Sequence, residues 1–237
     1  RFLERALAES LPLIKQPAIA ASGKTGSGTA VAVLDTGCDF SRTDFGSCQA
    51  AGATNCKVAF AKDFATEDSQ RDDNGHGTNV SAIVLGVAPA TKVLALDVFA
   101  GATAPSSAIL SAIDWSIKNR TTYNIVAMNL SLGGGKYNAV CSSDLFATAL
   151  ANARAAGIVP AVASGNNGFT GALASPACTP AAVSVGAVYD ANVGGLGFSV
   201  CSDPSTAADK VTCFSNSASF LSILAPGAFI TAGGYKM

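Results

Sequence analysis

Thr29-Ala30-Val31-Ala32-Val33-Leu34-Asp35-Thr36-Gly37 is apolar at every position from Ala30 to Leu34, then turns at once to an aspartate and a Thr-Gly pair. A strand with one face in water alternates apolar with polar side chains. A short run without alternation fits a strand covered on both faces, as in parallel sheets flanked by helices. The signature returns at residues 92–99, 124–130, 158–163 and 182–187. Between these runs the period changes to that of a helix. Residues 77–85 put Val80, Ile83 and Val84 on one face, residues 106–118 put Ile109, Ile113 and Ile117, and residues 143–156 put Phe146, Leu150 and Ala153 before a terminating Gly157. Strand, helix, strand in this order predicts an α/β protein, a doubly wound, mostly parallel sheet with helices on both faces. Pro160 falls inside one expected central strand, where its missing amide hydrogen would interrupt a ladder, so that strand is expected to begin later than drawn.

Composition narrows the function classes. The chain of 237 residues is 49% hydrophobic and 13% charged with a net charge of -1, which argues against a disordered or nucleic-acid-binding protein. Its apolar runs are much shorter than the roughly 20 residues of a membrane span, and no secretion signal opens it. Neither nucleic acid nor a membrane is an expected partner. Seven cysteines, with no Cys-x-x-Cys pair and one histidine, point to disulfides and an oxidising, secreted setting rather than a zinc site. Cys48 with Cys56 and Cys201 with Cys213 each bracket a polar, turn-rich loop; Cys141 with Cys178 is a longer-range guess, which leaves Cys38 odd and read as a buried apolar side chain.

In open parallel sheets functional groups collect beyond the carboxyl ends of the strands. That rule selects Asp35 after the first run, Ser131-Leu132-Gly133-Gly134 after the run at 124–130, and Ala163-Ser164-Gly165-Asn166-Asn167-Gly168 after the run at 158–163. The sole histidine lies elsewhere, in Arg71-Asp72-Asp73-Asn74-Gly75-His76-Gly77-Thr78-Asn79-Val80. Asp-Thr-Gly, Gly-His-Gly-Thr, Ser-Leu-Gly-Gly and Ser-Gly-Asn-Asn-Gly, in that order, resemble the subtilisin-like serine peptidases, from about Ile14 to Ala225-Pro226-Gly227. The resemblance implies residues 13–237 as an incomplete peptidase domain, and residues 1–12 as an N-terminal extension or propeptide remnant.

The chemistry of those residues agrees with the resemblance. A serine hydroxyl becomes nucleophilic when a neutral imidazole accepts its proton, and a carboxylate must hold that imidazole in the right tautomer and stabilise the resulting cation. Asp35 suits the orienting role and His76 the base. Asp72, Asp73 and Asn74 are capping candidates for a helix opening at His76, whose positive end would disfavour imidazolium; the flanking glycines are read as leaving the ring accessible. Asn166 resembles the family's oxyanion-hole amide. Ser131, Leu132 and Gly133, with Ala163, Ser164 and Gly165, resemble the two walls of the first substrate pocket, with backbone free to pair with an extended peptide. Glycine walls imply a sizeable apolar side chain before the cleaved bond.

The sequence departs from the family pattern in three places. Gly-Thr-His reads Gly77-Thr78-Asn79 here. The segment 80–89 lacks the insertion that wraps calcium in many relatives; although Asp44 matches a frequent ligand position, no metal ligands are assigned, because calcium needs 6–8 oxygens. No cofactor is required for the chemistry. Third, the family's Gly-Thr-Ser-Met-Ala is expected soon after Ala225-Pro226-Gly227, and no Gly-Thr-Ser occurs in the chain. Ser131, Ser164 and Cys38 do not match the nucleophile's place. The expectation is a secreted endopeptidase domain truncated before its serine and inactive alone, acting on polypeptides, with the rest of the domain and a propeptide inhibitor as partners. The alternative is a noncatalytic peptide-binding pseudoenzyme or regulatory fragment. An aspartic peptidase needs paired carboxylates and is disfavoured by the α/β pattern. Gly23-Lys24-Thr25-Gly26-Ser27-Gly28 precedes a strand and lacks the first glycine of a phosphate loop.

Overall fold

In the computed structural model, residues 7–66 and 69–236 are described. The principal elements are β1 (Ala30–Asp35), β2 (Val58–Asp63), α1 (His76–Val87), β3 (Lys92–Asp97), α2 (Ser106–Lys118), β4 (Ile125–Leu130), α3 (Ala147–Ala155), β5 (Val159–Ala163), β6 (Val183–Val188) and β7 (Ile223–Pro226). The strands form one sheet in the order β7-β6-β5-β4-β1-β3-β2, parallel at every pairing. The expected doubly wound α/β sheet is present.

Strand β1 shows why its sequence is continuously apolar. Ala30, Ala32 and Leu34 join the core that includes Ile109 and Ile113 of α2 and Leu150 of α3, whereas Val33 joins a second core with Leu85 of α1. Successive side chains point to opposite faces, and each face has a helical layer to fill. Burying a Leu or Val side chain in this way stabilises the fold by about 1.5–3 kcal/mol.

Pro160 is tolerated for a local reason. It pairs with Met128 of β4, but the ladder to β6 begins one residue later, at Ala161 with Val183. The position without an amide hydrogen therefore has a paired neighbour on one flank only. Phe99, drawn inside a strand from sequence, lies beyond it: its amide donates to Asp97 Oδ1 at 2.9 Å and turns the chain out of β3. Helix α3 begins at Ala147 instead of 143, because the Cys141–Cys178 disulfide and the Cys141 amide bond to Cys178 O hold the preceding segment in turns. Strands β2 and β7 escaped the sequence reading. Both are sheet edges, one diluted by Lys62 and Asp63 and the other carrying Pro226 beside exposed Ile223 and Leu224.

Three disulfides join Cys48–Cys56, Cys141–Cys178 and Cys201–Cys213, the expected pairing, and Cys38 is a buried free thiol. Residues 1–6 of the expected N-terminal extension lie outside the described residues. Of the rest, Leu7 is buried against Gly86 of α1, and Ser10 Oγ donates to Asp190 Oδ2 at 2.6 Å.

Candidate active site

Register places the site. Leu34 of β1 pairs with Leu130 of β4, which pairs in turn with Val162 of β5. The residues one step further along these adjacent strands are Asp35, Ser131 and Ala163. Three segments separated by some 96 and 32 positions in the chain thus end level on one rim (131−35 and 163−131).

His76 reaches that rim from the first turn of α1. The helix start is built mostly by Asp72: its Oδ1 accepts the Gly75 amide at 2.8 Å, and its Oδ2 accepts the Thr78 amide at 2.8 Å and the Thr78 hydroxyl. Asn74 Oδ1 accepts the His76 amide at 3.0 Å. Of the three capping candidates, Asp72 and Asn74 satisfy free helix amides, while Asp73 donates its backbone amide to Thr36 O. The Thr36 hydroxyl links the two motifs, donating to Asp72 Oδ1 at 2.9 Å and accepting the Gly77 amide at 2.9 Å.

The flanking glycines serve packing as well as access. A Cβ on Gly77 would lie 2.1 Å from Gly37 O, so only glycine lets the helix meet the Asp-Thr-Gly turn; Gly75 has φ +88° and lies against the Tyr235 ring.

Within this frame His76 Nδ1 lies 2.6 Å from Asp35 Oδ1, which also accepts the Thr36 amide at 2.8 Å. A carboxylate only accepts, so Nδ1 carries the proton and Nε2 presents a lone pair. Asp35 is buried, while the His76 side chain is 36% exposed. The bond to Asp35 raises the His76 pKa above its ordinary value; burial opposes this, and the charges of Asp35 and Asp72 add to it. The capping carboxylate thus supports imidazolium at a helix end that by itself would oppose it. Nearby, burial lifts the Asp97 carboxyl to about 7, against the Phe99 amide bond and with help from the charges of Asp73, Asp63 and Asp72.

The 164–169 loop is held by a residue that sequence reasoning missed. Asn216, fully buried, accepts the Asn167 and Phe169 amides on Oδ1, each at 3.0 Å, and donates from Nδ2 to Ser164 O at 3.1 Å. Its amide group fills the space beside Gly165, at φ +106°, where a Cβ would come within 2.3 Å. Asn166 is exposed at the tip of this loop, and among the described residues its side chain is committed to no hydrogen bond. It lines both a groove and a cavity at the rim. Nothing in the local sequence of Asn216 marks it; only its contacts do.

Ser131, Leu132, Gly133, Ala163, Gly165 and Asn166 line a groove of about 700 Å³ together with Phe99 and Tyr137. Ser164 is the exception among the expected wall residues. It is buried, and its carbonyl is taken by the Ala174 amide and Asn216. On the other side of the rim a cavity of about 290 Å³ opens between α1 and the sheet, bounded by His76, Val80, Ile83, Ala161, Val185 and Pro226. Val80, Ile83 and Val84, expected to share one face of α1, line this cavity together and pack against the core that Ala82 and Leu85 enter. His76 stands between the cavity and a shallow outer pocket shared with Thr36, Asn74, Phe99 and Ser131.

Asp44 is exposed on a short turn at Thr43–Phe45. Among the described residues the one group of three clustered thiol, carboxylate or imidazole ligand atoms is Cys141, Asp144 and Cys178, whose sulfurs are already joined. No helix among them is long and apolar enough to cross a membrane.

Subtilisin of Bacillus pumilus is 31% identical over 242 residues, covering 94% of this chain and 74% of the relative. Subtilisin E of Bacillus subtilis (strain 168) is also 31% identical, over 94% of this chain and 54% of its own length, so the chain spans little more than half of that protein. A solved cold-adapted subtilisin-like serine proteinase superposes with a TM-score of 0.68 at 26% identity, covering 90% of this chain and 70% of that one. Residues 26–235 match the Subtilase family, and the chain belongs to it.

Proposed function

We propose that this chain forms the greater part of a secreted serine endopeptidase domain, in which Asp35 orients His76, His76 is general base and then general acid, and Asn166 is the oxyanion donor. The carrying observation is the 2.6 Å bond between His76 Nδ1 and buried Asp35, which leaves Nε2 free beside a cavity that Asn166 also lines. In this reading the nucleophile is a serine C-terminal to Met237. The segment bearing it fills the apolar cavity between α1 and the sheet, bringing its hydroxyl to Nε2.

The chemistry then follows from the residues present. Nε2 takes the hydroxyl proton as the oxygen attacks the peptide carbonyl, and Asp35 stabilises the imidazolium. The negative charge developing on the carbonyl oxygen meets the Asn166 amide. His76 returns the proton to the leaving amine. An extended polypeptide lies along Ser131–Gly133, with the 163–165 turn as the other wall of the first pocket, and the glycines of these walls favour a large apolar side chain before the scissile bond. The three disulfides support an oxidising, extracellular setting.

The test is expression of the coding sequence continued past Met237, with fluorophosphonate labelling and intact mass. Labelling of a single serine downstream of Met237, lost on His76→Ala, is the expected result. A full-length protein that binds peptides but never labels makes this a noncatalytic peptide-binding relative. Residues 1–237 alone are expected to show no triad-dependent hydrolysis.

A further inference from the structure

Asn79 stands three residues after His76 on α1 and is buried, with 2% exposure. Its Nδ2 lies 3.3, 3.2 and 3.0 Å from the carbonyl oxygens of Ile230, Ala232 and Tyr235. One amide group with two hydrogens therefore serves three acceptors more than 150 positions away in sequence, all in or beside the hairpin of Thr231–Ala232 and Tyr235–Lys236.

The same hairpin is fitted to this turn of helix at two further points. Gly233, at φ +58°, approaches so closely that a Cβ would meet Thr78 O at 3.0 Å and Ala82 Cβ at 3.2 Å. The Tyr235 ring covers Gly75 and lies 5.0 Å from the Arg42 guanidinium. Thr78 cannot replace Asn79, because its hydroxyl already donates to Asp72 and accepts the Asp39 amide. The hairpin is thus tied to the helical turn that carries His76, and Asn79 makes the tie's side-chain hydrogen bonds.

We infer that Asn79 is a positioning residue: by fastening the hairpin to α1 it sets where the chain after Lys236 departs relative to the His76 ring. The inference rests on the function proposed above, in which that following chain carries the nucleophile. Where the family pattern has His, the imidazole, with at most one donor on each nitrogen, cannot span three carbonyls as this amide does; the register of hairpin on helix is here assigned to one side chain. Nucleophile and base must meet at hydrogen-bond distance, and a displacement of about 1 Å costs on the order of 100-fold in rate.

The test uses the full-length protein with Asn79→Asp, which keeps the shape but turns an acceptor toward three carbonyls, and Asn79→Ser, which keeps one donor. Burst titration counts competent sites, so that kcat is expressed per titrated site. Asn79→Asp is expected to lower kcat per site about 100-fold. Asn79→Ser is expected to lower it about tenfold, corresponding to loss of part of the hydrogen bonding. KM stays unchanged in both variants, because the groove is untouched, and the acid limb of the pH profile stays unchanged in Asn79→Ser, which adds no charge beside His76. If kcat per site remains within twofold of wild type in both variants, whatever happens to the fraction of competent sites, Asn79 only supports folding and the inference is wrong. Should Asn79→Asp fail to fold, Asn79→Ser alone decides on the same criterion. A wild-type protein without a burst overturns the functional reading itself, and this inference with it.

Discussion

Replacing Asn216 by Ala separates support of the site from participation in it. The side chain makes bonds to the Asn167 amide, the Phe169 amide, Ser164 O and Asn167 Oδ1 at 3.0–3.3 Å. Ser164 O keeps the Ala174 amide as a donor at 2.9 Å, and Asn167 is exposed enough for water to replace part of what it loses. The cost therefore falls mainly on the two amides and the small void left at a fully buried position. At about 1 kcal/mol net per bond, more for a donor left dry, the sum is about 2–4 kcal/mol. For a chain of this size that is a fall in melting midpoint of roughly 10 °C. Hydrogen exchange should quicken at Asn167 and Phe169 before it does in β4 or β5. In the full-length protein kcat falls as the loop carrying Asn166 loosens. Asn166→Ala should show the converse pattern: a melting midpoint within about 2 °C of wild type, as expected for an exposed side chain, and a loss of turnover on the order of 10²–10³, a magnitude carried over from a subtilisin. Thermal denaturation monitored by circular dichroism, with amide exchange read by mass spectrometry, measures the first pattern. A midpoint within 2 °C of wild type for Asn216→Ala, with unchanged exchange at 167 and 169, would refute the assignment of Asn216 as the clamp.

Three further outcomes are expected. His76 is the only histidine, so its titration can be followed by NMR without assignment. Its pKa should exceed 6.5 in the folded chain and drop in Asp35→Asn; a raised folded pKa means that the pair's stabilisation is full below pH 6.5 and fades as pH rises through the folded value, and the base form needed for turnover appears only above it. Asp97, lifted to about 7, takes up a proton on folding, so its contribution makes stability decline as pH rises from about 4 to about 7. Denaturant midpoints in that window should slope less in Asp97→Asn, and an unchanged slope would contradict the burial argument. Gly77→Ala places a methyl 2.1 Å from Gly37 O and should cost about 1–3 kcal/mol or more in urea melts, with activity falling as His76 is pushed from Asp35.

Much was legible in the residues themselves. The unalternating run at 29–34, with its repeats, specified a sheet buried on both faces, because only such a sheet tolerates continuous apolar strands. Its strand ends located Asp35, Ser131 and Ala163, since a parallel sheet places all its carboxyl ends on one edge. Cysteine spacing led to the two short pairs, Cys48–Cys56 and Cys201–Cys213, because each closes a local turn-rich loop. Edge strands β2 and β7 were hidden because an edge needs less hydrophobicity than a centre.

Tertiary structure alone decided the rest. That Gly77 is a packing requirement, that Ser164 is buried, that Asn216 holds the 164–169 loop and that Asn79 binds the 231–236 hairpin are all consequences of contacts across tens to more than a hundred residues. Such contacts leave no periodicity in the chain. A pattern of side chains records which face each element buries. Which particular atoms meet there depends on register and close approach, and those exist only once the layers have packed.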